Sequence, residues 1–149
     1  GLGQAVAARL DGSDSQMYVR TGDGEMGEGQ VWEALAAAGK YRTANLTLIV
    51  DQNGYQQTGA TKDVLDQTPF SERIAPFGWH TQTINGNDMQ EVLTALETAA
   101  GVTDRPSAII SQTKKGFGIL PVMEAEGDLN FHGKPLSPEL AEKALKLLV

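Results

Sequence analysis

Residues 21–59, TGDGEMGEGQVWEALAAAGKYRTANLTLIVDQNGYQQTG, decide how the chain folds. The stretch opens with a Gly22-Asp23-Gly24 turn behind a short apolar run and closes on Asn53-Gly54 behind a second one. An alanine-rich segment of helical length lies between them. Parallel strands joined by a crossover helix put both C-terminal ends on one edge of the sheet. An acid ending the first strand and an amide ending the second can then face one point. A carboxylate, an amide carbonyl and a backbone carbonyl are hard oxygen ligands suited to Mg2+ or Ca2+. Mg2+ held by few protein oxygens completes its shell with water and phosphate oxygens. The stretch therefore points to a metal–diphosphate site at the edge of a parallel sheet.

Outward from it, the same alternation continues. Leu2, Val6 and Leu10 recur at helical spacing before a turn at Asp11-Gly12-Ser13-Asp14. Met17 to Arg20 reads as a short strand entering the Gly-Asp-Gly turn, where Gly24 can adopt a positive φ and lets backbone amides approach an anion closely. Glu28 to Tyr41 reads as a helix with Val31, Leu35 and Ala38 on one face, and Gly39 marks its fraying end. Leu46 to Val50 is a continuous apolar run, as in a strand buried on both faces.

Beyond Tyr55 the chain is polar and irregular until Thr68-Pro69, which suits an N-cap followed by proline at the first helical position. Gly78 to Ile84 reads as a strand. Asn87 with Gln90 suggests a capping box for a helix carrying Val92, Leu93, Leu96 and Ala99. Ser107 to Ser111 forms a fourth strand. A glycine-containing loop spans 114–130, and Ser137-Pro138 opens a last helix with Leu140, Ala144, Leu147 and Leu148 facing inward. Alternating strands and helices predict an α/β fold, a three-layer α/β/α domain with a mainly parallel sheet.

The 149 residues are enough for one domain with one substantial core. A net charge of −7 and a pI near 4.7 argue against a nucleic-acid partner. With no cysteine, disulfides, thiolate chemistry and Cys-ligated zinc are excluded. No apolar run reaches membrane-spanning length and no signal-peptide pattern is present, which makes the cytoplasm the default compartment.

GDGEMGEGQVWEA followed by LIVDQNG resembles the thiamine diphosphate motif of the transketolase family. Gly-Asp-Gly with a later Asn marks thiamine diphosphate enzymes broadly, and the EGQVWEA run resembles transketolases in particular. The resemblance implies a thiamine diphosphate-binding fold. It implies that Asp23, the Asn53 side chain and the Tyr55 backbone carbonyl hold Mg2+, with Ca2+ an alternative, and that Gly24 contacts the diphosphate. Taken alone, Asp23 also suits a helix N-cap and Asn53-Gly54 a plain turn. Glu28 and Glu33, five positions apart, suit solvated acids near a helix N-terminus. In the resemblance they join a carboxylate network linking two cofactors across a dimer interface, Glu28 foremost.

His132, in the run Asn130-Phe131-His132-Gly133-Lys134-Pro135, matches the family's histidine that approaches the diphosphate and the donor substrate. Histidine suits that place because it donates to phosphate and moves protons near neutral pH. Lys114 and Lys115, in TKKGFG, resemble a family loop and could steer anions. His80 reads as a structural residue of a strand. Gln57 and Thr58 depart from the family, which often has an apolar residue and an acid there.

The resemblance further implies transfer of a two-carbon ketol unit from a ketose phosphate to an aldose phosphate, in pentose phosphate metabolism. The glycine-rich loop and histidines that precede this region in the family are expected to be missing. So is the second, pyrimidine-binding (Pyr) domain or subunit, which supplies the activating glutamate. Residues 1–149 then form part of the diphosphate-binding domain, incomplete at the N-terminus and inactive in isolation. A homo- or hetero-dimer is the expected assembly. The alternative is a non-catalytic interaction module of the same fold that has lost the cofactor.

Overall fold

The computed structural model of the chain describes residues 1–125 and 135–148. In order, the elements are α1 (Leu2–Leu10), β1 (Met17–Gly22), α2 (Gly29–Lys40), β2 (Leu46–Gln52), β3 (Tyr55–Gln56) and β4 (Gly59–Ala60). Then come α3 (Thr61–Val64), α4 (Phe70–Ile74), β5 (His80–Asn85), α5 (Met89–Gly101), β6 (Ser107–Gln112), α6 (Leu120–Ala125) and α7 (Pro138–Leu147). Among the described residues one sheet runs in the order β1-β2-β6-β5 with every pair parallel. β3 and β4 form a separate antiparallel ribbon.

The alternation of β2 explains the layers. Leu46, Leu48 and Val50 face one side, where they join Ala5 of α1, Leu35 and Ala38 of α2, and Phe70 and Ile74 of α4. Ile49 faces the other side, where Ile109 meets Ala95 and Ala99 of α5. Both faces of the central strands are thus covered, as continuous apolar runs in parallel sheets require. The expected three-layer α/β/α arrangement is present.

Several local expectations change. Gly39 lies in the last turn of α2, and its role is one of close approach: a Cβ there would lie 1.8 Å from the carbonyl oxygen of Phe77, so glycine lets the next turn press against α2. Trp79 precedes β5 rather than belonging to it, and its buried indole N–H donates to the Leu35 carbonyl at 2.9 Å. Pro69 occupies the N-cap of α4 instead of its first helical position, and the Thr68–Pro69 bond is cis. Asp88 caps α5, its Oδ1 accepting from the N–H groups of Gln90 (2.8 Å) and Glu91 (3.3 Å). Asn87 instead accepts from the Lys114 N–H at 2.8 Å.

The 114–130 segment contains α6, on which α7 packs through Leu140 and Ala144 against Val122. Leu147 and Leu148 are exposed rather than inward-facing among the described residues, while Leu140 and Ala144 carry the packing of α7. Among the described residues no helix is long and apolar enough to cross a membrane.

Candidate functional site

β1 and β2 end side by side, with Gly22 in register with Asp51. The ladder continues one residue further, since the Asp23 N–H donates to the Asp51 carbonyl at 3.1 Å. Asp23 is thereby pinned at the C-terminal edge of the sheet, and it is only 5% exposed. Its Oδ1 accepts from the Gly24 N–H at 2.9 Å and its Oδ2 from the Gly54 N–H at 2.6 Å. The second bond crosses from one strand end to the next and draws the Asn53-Gly54 turn alongside. There Gly54 adopts a φ of +80°, which favours glycine. Asn53 Oδ1 accepts from the Tyr55 N–H at 3.0 Å, an Asx turn that fixes its side chain. Each of these oxygens keeps a further lone pair.

Gly24 adopts a φ of −65° and does not use the positive region open to glycine, because a 3-10 turn at Glu25–Gly27 follows it directly. Its lack of a side chain matters for another reason. A Cβ there would lie 2.5 Å from Gln56 Cβ, so the close approach of β3 to the Gly-Asp-Gly turn depends on glycine. That approach brings Tyr55 to the site.

Burial pushes the Asp23 carboxyl above the usual carboxylate range; the Gly54 and Gly24 N–H groups pull it down, and the neighbouring Asp51 charge adds to the upward push. Asp51 is itself held by an ion pair with Arg20 and by the Thr113 hydroxyl, which donates to its Oδ1 at 2.5 Å. A buried carboxylate that resists ionisation beside a second carboxylate is a place where a bound cation is favourable.

Asp23, Gly24, Glu28, Asn53 and Tyr55 all line one cleft of about 530 Å³, and Gln57 and Lys115 line it too. That volume is within the range of small-molecule sites. Among the described residues no three His, Cys, Asp or Glu side chains gather as a metal cluster. The converging donors are instead one carboxylate, one amide oxygen and the backbone next to them. This set fits a hard cation that takes its remaining oxygens from water or phosphate.

Other expected residues distribute differently. Glu28 is the exposed N-cap of α2, makes no side-chain capping bond and faces the cleft. Glu33 is exposed on α2. His80 begins β5 and so stands on the opposite, N-terminal rim of the sheet. His132 lies outside the described residues. The Arg20–Asp51–Thr113 tether and the Gln56 contact went unforeseen. Only the position of Asp51, two residues before Asn53 at the end of β2, hinted at the first.

The family model for the thiamine diphosphate-binding domain of transketolase matches residues 5–147. One subunit of the apulose-4-phosphate transketolase of Actinobacillus succinogenes is 38% identical over 147 residues, covering 99% of this chain and 52% of that protein. Its counterpart from Phocaeicola vulgatus is 34% identical over 98% of this chain and 51% of its own length. The solved transketolase of Campylobacter jejuni superposes with a TM-score of 0.86 at 31% identity, over 97% of this chain and 23% of that one. The chain spans about half the length of the two curated relatives it matches here.

Proposed function

The chain belongs to the transketolase thiamine diphosphate-binding domain family, and from that premise we propose that it forms part of an enzyme that moves a two-carbon ketol unit from a ketose phosphate to an aldose phosphate. The observation that carries this reading is the Asp23–Gly54 bond of 2.6 Å, which holds Asp23 and the Asn53 turn on one rim of one cleft. Asp23, Asn53 Oδ1 and the Tyr55 carbonyl would hold Mg2+. The diphosphate would lie against Gly24, sharing the N–H that now donates to Asp23. His132 would reach the diphosphate and the donor sugar. Thiamine diphosphate supplies the electron sink that the reaction needs.

The remaining roles belong to the assembly. A Pyr domain or partner subunit would supply the activating glutamate. Both apulose-4-phosphate transketolase relatives are themselves subunits, each about twice this chain's length, which supports a partner of that kind. Glu28, exposed and lining the cleft, would reach across a dimer interface to a second site. We place the enzyme in the cytoplasm and residues 1–149 within the diphosphate-binding domain.

Calorimetry with thiamine diphosphate tests the reading. Mg2+ should tighten binding of the cofactor, and the cofactor should tighten binding of Mg2+ by the same factor. No heat and no thermal shift would instead favour a fold that kept the turn and lost the cofactor.

A further inference from the structure

Asp51 brings a second carboxylate to the rim, and both of its oxygens are engaged. Oδ2 forms an ion pair with the Arg20 guanidinium, and Oδ1 accepts the Thr113 hydroxyl at 2.5 Å. Arg20 belongs to β1, and Thr113 follows the last residue of β6. These are the two strands that flank β2, so the carboxylate is gripped from both sides. The Thr113 backbone is anchored in turn, its N–H donating to the Gln52 carbonyl at 3.1 Å.

The ion pair adds little to stability, because the Arg20 side chain is 71% exposed and its charge is screened by water. Its consequence is positional. Asp51 lines the same cleft as Asp23, Asn53 and Tyr55, and its charge is felt at Asp23. Without the grip, its side chain could turn toward a cation seated between the two strand ends.

The number of carboxylates decides what such a cation still needs. With one carboxylate, an amide oxygen and a backbone carbonyl, a divalent ion keeps net positive charge and open positions, which suit a diphosphate. A second carboxylate would cancel that charge and fill a position, so the ion would bind without its anionic partner. We propose that Arg20 and Thr113 are positioning residues that hold Asp51 out of the metal's coordination sphere, and so make metal binding depend on the diphosphate. The inference rests on the cofactor reading above.

The test measures Mn2+ binding to the full chain by electron paramagnetic resonance of the free ion, alone and then with thiamine diphosphate. Mn2+ takes the same oxygen ligands. In the unaltered chain the cofactor should tighten Mn2+ binding. Thr113→Val, which removes the hydroxyl and keeps the shape, should tighten Mn2+ binding without cofactor by roughly tenfold, as an added charged ligand does. The further tightening by the cofactor should shrink. Arg20→Met should act in the same direction and more strongly, since it also removes a positive charge lining the cleft. Thr113→Ser, which keeps the donor, should behave as the unaltered chain. With Asp51→Ala in place, Thr113→Val should change nothing, because no carboxylate is left to release. A rim that was merely loosened would bind Mn2+ more weakly, so the sign separates the two roles. Weaker or unchanged Mn2+ binding in Thr113→Val, or an equal gain with Asp51→Ala, overturns the inference and leaves the cofactor reading intact. If the unaltered chain binds no Mn2+ even with thiamine diphosphate, both fall together.

Discussion

Asp23 Oδ2 accepts the Gly54 N–H at 2.6 Å, joining the ends of two adjacent parallel strands that are separated in sequence by a whole helix. The bond does two things at once. It satisfies a carboxylate oxygen that burial would otherwise leave costly, and it sets the neighbouring Asn53 on the same rim. Removing the side chain should therefore cost both stability and ligand binding.

Asp23→Asn should weaken Mg2+-dependent thiamine diphosphate binding by at least about 10- to 100-fold, the range seen even for groups one step removed from a metal. Asn53→Ala should do the same while leaving the Asp23–Gly54 bond in place. Calorimetry at fixed Mg2+ measures both. Cofactor affinity that withstands either change would remove that residue from the metal site.

The raised carboxyl of Asp23 makes a prediction about pH. The folded state binds this proton more tightly than the unfolded chain does. Asp23 therefore costs no stability below the ordinary carboxylate value, and the cost grows as pH rises through the raised one. Relative to Asp23→Asn, the unliganded protein should lose stability as pH rises above the ordinary carboxylate value. Saturating Mg2+ and cofactor should abolish that relative loss. Urea denaturation of both proteins across the range reads the difference, and a relative gain with rising pH would contradict it.

Two glycines make a paired test of close approach. Gly39→Ala should gain about 1 kcal/mol from helix propensity. It should nevertheless destabilise the protein, because the new Cβ would lie 1.8 Å from a backbone oxygen, Phe77 O, which cannot rotate away. Gly24→Ala meets the Gln56 side chain at 2.5 Å and should cost about 1–3 kcal/mol. It should also loosen the ribbon that carries Tyr55, so cofactor affinity should fall with it. Chemical denaturation with a parallel titration separates the two effects.

Glu28→Gln changes an exposed side chain that makes no capping bond, so the stability of the chain alone should move by no more than about 0.5 kcal/mol. In the complete assembly it should lower turnover or the communication between paired sites. A full-strength assembly with Glu28→Gln would detach Glu28 from the cofactor network.

The layers and the meeting of Asp23 and Asn53 at one sheet edge were legible because each depends on local pattern. Leu46 to Val50 reads as a buried strand from its apolar run alone, and Asp23 and Asn53 stand out because each ends such a strand before a glycine turn. What went unread depends on contacts across the fold. The Gly24 requirement comes from Gln56 rather than from its own φ, and the Gly39 requirement comes from Phe77. Asp51 is held by Arg20 and Thr113, one on a neighbouring strand and the other in the loop behind β6. No periodicity carries these. The cap of α5 fell one residue from its expected place because Asn87 was taken by the Lys114 backbone, a partner distant in sequence.

The central claim is that Asp23, Asn53 and the Tyr55 carbonyl share one divalent ion. Co-crystals of the chain and its partner grown with thiamine diphosphate and Mn2+, read by anomalous scattering, address it most directly. The account predicts a single strong peak in the cleft, at coordination distance, about 2.0–2.3 Å, from all three oxygens and from the diphosphate. A cofactor seated with its metal away from Asp23, or a peak that reaches only one of the two strand ends, would contradict it.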